Sequence, residues 1–209
     1  MPGPRKARSD AEANRRRLLA AAVTAMYREG RAVPLATIAA EAGVGVGTLY
    51  RSYPDRDALL RALEHRAYGL LNDLLDDIER EGLSGLDAIA RYLTGSLAMS
   101  DQLVLPLRGA PPLVTPPAIE ARESINRRLE AFLAAGRADG GIRAPVNATD
   151  LIAFCSLVTH PLPHGPDGEH LARRQIAVFL NGLATGGPVE VPAPPVTRAD
   201  VERAFRRHA

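Results

Sequence analysis

Residues 35–56, L-A-T-I-A-A-E-A-G-V-G-V-G-T-L-Y-R-S-Y-P-D-R, constrain this chain more than any other stretch. Leu35, Ile38, Ala39 and Ala42 recur at i, i+3, i+4 and i+7, which makes one apolar stripe on a helix. Pro34 suits the first position of that helix, where its missing N–H has no intrahelical partner. Gly43 stands where a left-handed residue ends a helix, since glycine has no Cβ to clash there. Beyond the turn, Leu49 and Tyr53 share the core face of a second short helix, and Thr48, Tyr50 and Arg51 fall on its open face. Pro54 stops that helix, and Asp55 is placed to cap a long one after it. Helices this short do not hold alone, so their neighbours must support them. The layout is that of a helix-turn-helix, whose second helix enters the major groove of DNA.

The supports are present on both sides. Residues 14–29 carry Leu19, Ala22, Val23, Met26 and Tyr27 on one stripe, with Arg15, Arg16 and Arg17 at its start. Residues 56–80 read as a long amphipathic helix through Leu59, Leu60, Leu63, Ala67, Leu70, Leu71, Leu74 and Ile78. Several coupled positions agree at once: Leu18-Leu19-x-Ala21-Ala22 with Gly30, then Ile38-Ala39-x-x-Ala42-Gly43-Val44, Gly47-Thr48-Leu49-Tyr50, Tyr53, and Arg56-x-x-Leu59-Leu60. On these residues the chain resembles the tetracycline-repressor (TetR) family of bacterial transcription regulators over residues 14–66. Weaker echoes lie at Gly141-Ile142-Arg143 before Asp150-Leu151, and at Phe179-Leu180-Asn181-Gly182-Leu183. Three positions depart from the family's habit. Pro34 stands for a Thr or Ser that can meet a phosphate, Gly45 for a Ser that caps the recognition helix, and Arg56 for a Lys.

The helical periodicities and the lack of strand signals make the fold class all-α. The resemblance implies an N-terminal three-helix helix-turn-helix DNA-binding domain plus a C-terminal helical ligand-binding and dimerisation domain. The expected divisions are a flexible basic arm over 1–12, the DNA-binding domain over 13–58 with its linking helix running to about 80, a helical effector-binding and dimerisation domain over 59–186, and a Pro-rich tail with a short exposed helix over 187–209. Function follows as sequence-specific transcriptional regulation, by resemblance a repressor released from its operator by a small molecule. The competing class is a ligand-sensing or protein-binding helical module with weak or no operator binding.

Roles in the DNA head follow from chemistry. Tyr50 and Arg56 are expected on phosphates, with Arg17 or Thr37 assisting; such contacts fix register without reading sequence. Thr48 can bond a base edge or touch a thymine methyl, and Val46 can add a methyl contact. Arg51 has two readings, a fork onto guanine or another phosphate contact. Gly45 and Gly47 allow the backbone to come close. Residues 5, 6 and 8 (Arg5, Lys6, Arg8) read either as an arm reaching the minor groove or as a solvated tail.

Charge placement agrees with a head that meets phosphate. The first 66 residues hold twelve Lys and Arg against seven Asp and Glu, whereas the remaining 143 hold fourteen against seventeen, together the chain's net +2. One cysteine, Cys155, excludes an intrachain disulfide and fits a reducing compartment. A charged N-terminus and the lack of any long apolar run point to the cytoplasm, away from secretion or a membrane.

In the body, residues 86–99, 118–137, 148–160 and about 169–185 read as helices, with a Pro-rich interruption from Pro106 to Pro117 and a capping box at Asn147 and Asp150. Residues 151–158 are apolar nearly all round and 171–183 carry Leu171, Ile176, Phe179, Leu180 and Leu183. Such surfaces need covering twice, and the resemblance implies a homodimer through these last two long helices. A two-fold pair also reads both halves of a palindromic duplex operator. Ile119, Arg122, Asn126, Leu129 and Leu133 share one helical face. Arg122 and Asn126 there are either a stripe edge, snorkelling to water and bonded to a carbonyl, or a polar pair orienting a small-molecule effector in an apolar cavity. Tyr92 and Phe154 are further candidate walls.

Enzyme chemistry finds little support. Cys155 and His160 lie five apart and diverge on a helix, so Cys155 reads as buried and apolar. His160, His164 and His170 lack zinc-site spacing. No catalytic residue, metal or cofactor is expected.

Overall fold

The computed structural model describes residues 4–30, 32–103, 115–159, 168–185 and 197–208. The Pro-rich interruption up to Val114, His160, His164 and most of the Pro-rich tail lie outside the described residues. No proline or glycine interrupts α1, Pro4–Glu29, after its first residue. The arm expected over 1–12 is therefore helix from Pro4 onward, because its Ala, Arg and Glu residues are strong helix formers. Gly30, at φ +84°, ends α1 and donates its N–H to Met26 O at 3.0 Å.

Two seven-residue helices follow, α2 (Leu35–Glu41) and α3 (Val46–Ser52). Pro34 is the N-cap of α2 rather than its first helical residue: its backbone is extended and its carbonyl accepts from the N–H groups of Thr37 and Ile38. The α2 end is a Schellman motif. Gly43 sits at φ +66°, Val44 N–H reaches Ala39 O, and Gly43 N–H reaches Ala40 O, both at 3.0 Å. Asp55 caps α4, Arg56–Arg80, through a 2.6 Å bond to the Ala58 N–H.

The chain divides into two compact units between Arg66 and Ala67, with Asp101–Val104 grouped with the first. The boundary was expected at residue 58. It falls later because Leu59, Leu60 and Leu63 complete the first unit's core, beside Leu18, Ala22, Ala25, Ile38, Ala39, Leu49 and Tyr53. A one-turn 3₁₀ helix covers Ser100–Gln102, and Gln102 accepts a bond from Arg66 at 2.7 Å.

The second unit holds the rest of α4 with α5 (Gly85–Ala98), α6 (Pro116–Ala138), α7 (Ala148–Val158), α8 (Gly168–Leu183) and α9 (Arg198–His208). Here α5 meets α6, α7 and α8, while α7 touches both α6 and α8. Leu75, Ile78, Ile89, Leu93, Leu129 and Leu133 are wholly buried. Close approach is enforced by glycine: a Cβ on Gly95 would lie 2.6 Å from Leu74 Cδ1, and one on Gly136 would lie 2.3 Å from Ile142 Cδ1. Arg128 of α6 ties back to α4 through Glu79, Asp76 and the Asn72 carbonyl.

Both halves of the expected capping box form: Asn147 Oδ1 accepts from Asp150 N–H, and Asp150 Oδ2 accepts from Asn147 N–H. The only β pairing among the described residues is one isolated antiparallel bridge, Ile142 with Ala184, so the fold is all-α. Among these residues no helix is long and apolar enough to cross a membrane. The expected terminal helix forms as α9, and its described side chains are exposed or half-buried except one. α9 buries Glu202, because that carboxylate finds an arginine partner on α6.

Candidate nucleic-acid interface

α3 exists because its two faces differ. Leu49 is fully buried and Tyr53, just past the helix end, is nearly so; these fix the helix on α1 and α2 within one core. Burial pushes the Tyr53 phenol up in pKa, opposed by nearby Arg15 and aided by Glu12. On the opposite face Val46, Gly47, Tyr50 and Arg51 are exposed, at i, i+1, i+4 and i+5. Val46 and Tyr50, the large apolar side chains of this face, are 40% and 49% exposed.

Gly45 begins α3 without a side-chain cap, its carbonyl accepting from Thr48 N–H at 2.8 Å and from Leu49 N–H at 3.3 Å. The expected base readers engage each other. Arg51 Nη2 donates to Thr48 Oγ1 at 2.8 Å, and Arg51 Nη1 lies 3.8 Å from where a Cβ on Gly47 would stand. The guanidinium is thereby laid back over the start of α3, along the exposed ridge.

The expected phosphate contacts have varied surroundings. Tyr50 is open. Arg17 is exposed and donates to Asn14 Oδ1 at 2.6 Å. Thr37 is half-buried near the start of α2. Arg56 is half-buried and donates to the Val33 carbonyl, so part of its guanidinium holds the start of α4 to the loop before α2. Arg28 of α1 joins α2 through Glu41 at 3.0 Å and also pairs with Glu29, and these hydrogen bonds raise its pKa. That tie was not legible in sequence, since the partners stand thirteen residues apart on different helices.

The four candidate effector residues have different settings. Tyr92 is buried, and burial with nearby Cys155 pushes its phenol well up. Cys155 is buried, as its apolar surroundings in sequence imply. Phe154 stacks on Phe179, centroids 3.9 Å apart and rings within 3° of parallel, linking α7 to α8. Asn126 is half-buried. Arg122 neither snorkels freely to water nor stands open to a cavity: Glu202 grips it with two hydrogen bonds. Sequence reading did not find Glu202 as the partner of Arg122, since a partner eighty residues away leaves no local signal.

Residues 18–63 match the family model described as bacterial regulatory proteins, tetR family. No curated protein sequence matches the chain. Among solved structures, a TetR transcriptional regulator from Streptomyces coelicolor is 32% identical, with a TM-score of 0.53, over 83% of this chain and 99% of that one. A TetR regulatory protein from Mycobacterium vanbaalenii is 26% identical, with a TM-score of 0.57, over 85% and 99%. A ketosteroid transcriptional regulator of Mycobacterium tuberculosis shares the fold at 19% identity and a TM-score of 0.64, over 82% and 95%.

Proposed function

This chain belongs to the TetR family of bacterial transcriptional regulators, and from that premise we propose that it represses a nearby promoter as a homodimer on a palindromic operator, until a small molecule releases it. The observation that carries the reading is the open face of α3, with Val46, Gly47, Tyr50 and Arg51 exposed above buried Leu49. On this reading Tyr50 and Arg56, aided by Arg17 or Thr37, hold phosphates. Thr48 and Arg51 turn from each other to base edges, Val46 meets a methyl group, and Gly45 and Gly47 let the backbone approach.

One recognition helix covers only a few base pairs, so a second copy is needed, its helix roughly 34–36 Å away. The exposed apolar side chains of α7 and α8, Leu157 at 76% and Val178 at 63%, support these helices as the joint between copies. Release requires only that ligand and DNA favour different spacings of the two heads. A 100-fold loss of DNA affinity needs a coupling of about 2.7 kcal/mol, and a ligand that binds both forms equally regulates nothing.

The test is a gel-shift titration with the DNA upstream of the chain's own gene, repeated across salt concentrations. The protein should shift it with a steep salt dependence. Tyr50→Phe with Arg56→Ala should weaken binding to all duplexes and flatten the slope. Arg51→Ala should change which operator base pairs matter; uniform weakening would move Arg51 to the backbone contacts. Absence of any shift at low salt overturns the reading.

A further inference from the structure

Within the second unit, Arg122 of α6 and Glu202 of α9 meet as a two-pronged pair, Nε to Oε1 at 2.6 Å and Nη2 to Oε2 at 2.8 Å. Their side chains are only 10% and 6% exposed. The Arg122 guanidinium also lies over the Tyr68 ring, 5.9 Å from its centroid. On the same face of α6 Ala118, Ile125 and Leu129 are buried and Ile119 is half-buried, with Asn126 one turn on. A sheltered guanidinium forked onto two carboxylate oxygens, bounded by an aromatic ring and aliphatic side chains, is the chemistry that grips a small carboxylic acid. Here the carboxylate belongs to the chain itself.

We propose that Arg122 anchors a carboxylate-binding site whose resident occupant is Glu202, and that a small monocarboxylic acid with an apolar body competes with α9 for it. The proposal rests on the ligand-released regulator reading and names its effector class. The exchange is physically reasonable because a buried ion pair gains in attraction little more than desolvation costs. Removing Glu202 with nothing in its place leaves a sheltered cation uncompensated. A carboxylate that takes the same position restores the pair, while Glu202 regains water. A second ion pair between α9 and α6 among the described residues, Arg198 with Glu123 at 3.1 Å, is exposed on both sides and adds little.

The experiment uses octanoate as probe and octanamide as its neutral counterpart, with binding followed by calorimetry on the full chain. Glu202→Gln should bind octanoate at least tenfold more tightly than the parent, since an amide competes poorly for Arg122. Arg122→Gln alone strands a buried carboxylate and risks the fold. The double variant Arg122→Gln/Glu202→Gln, two neutral amides, is therefore the control, and it should lose octanoate binding. Octanamide should bind none of the three. In the parent, saturating octanoate should speed hydrogen exchange at the backbone amides of 198–208. Equal octanoate affinity in the parent and Glu202→Gln, retained binding in the double variant, or unchanged exchange in α9 would each overturn the proposal. None of these readouts involves DNA. Their failure leaves the operator reading standing, whereas a missing gel shift removes the effector role and leaves only the binding of the acid itself.

Discussion

Gly47 occupies the exposed ridge of α3, where a Cβ would touch nothing nearer than Arg51 Nη1 at 3.8 Å. Gly47→Ala should therefore raise folded stability, by up to about 1 kcal/mol from helix propensity. If the backbone comes close to DNA at this point, the same change should lower operator affinity at least tenfold. Thermal melts and gel shifts read the two effects separately, and a variant that is more stable with unchanged affinity removes Gly47 from the interface. Gly43 is different: at φ +66° its constraint is backbone conformation, and any Cβ strains the Schellman turn. Residue identity at 43 and 47 was plain from sequence because a turn and an open ridge are local features. The Arg51–Thr48 bond was not, although both were named as readers, because a side chain's resting rotamer depends on what surrounds it.

At the level of helices, α2 and α3 have seven residues each, too few to persist by their own hydrogen bonds. Their stability is borrowed from burial of Ile38, Ala39 and Leu49 against α1 and the start of α4. α9 carries a charged tie to α6. The hydrogen bond from Arg122 holds the Glu202 carboxyl below its ordinary 4.5, burial opposing it, with Arg198 and Arg206 adding weaker pulls. Burial likewise opposes the Arg122 cation, but Glu202 and Tyr68 together raise its pKa further, so it stays charged throughout. A carboxyl with a depressed folded pKa stabilises fully above its unfolded value and loses that contribution as pH falls through the folded one. The stability gap between the parent and Glu202→Gln should thus be constant near neutrality and close only as pH drops below about 4.5. Denaturant titrations at stepped pH check this; a gap that closes between pH 6 and 8 would mean that another group controls α9.

For the whole molecule the deciding question is assembly. Leu157→Glu with Val178→Glu places charge on the most exposed apolar side chains of α7 and α8. Sedimentation at micromolar concentration should give a folded monomer, and operator binding should fall with it, because half of a palindrome offers half of the contacts. A variant that remains dimeric removes α7 and α8 from the joint. What the amino-acid order settled alone is what neighbours along the chain decide: helical stripes, the Gly43 turn, the Asp55 cap and the Asn147–Asp150 box all act within four residues or so. Only the tertiary structure decided that Arg28 joins Glu41, that Arg56 holds the Val33 carbonyl and that Arg122 is gripped by Glu202. The physical reason is that a charged side chain takes whichever partner packing brings within about 3 Å. Across thirteen, twenty-three or eighty residues, that choice belongs to the packing of whole helices.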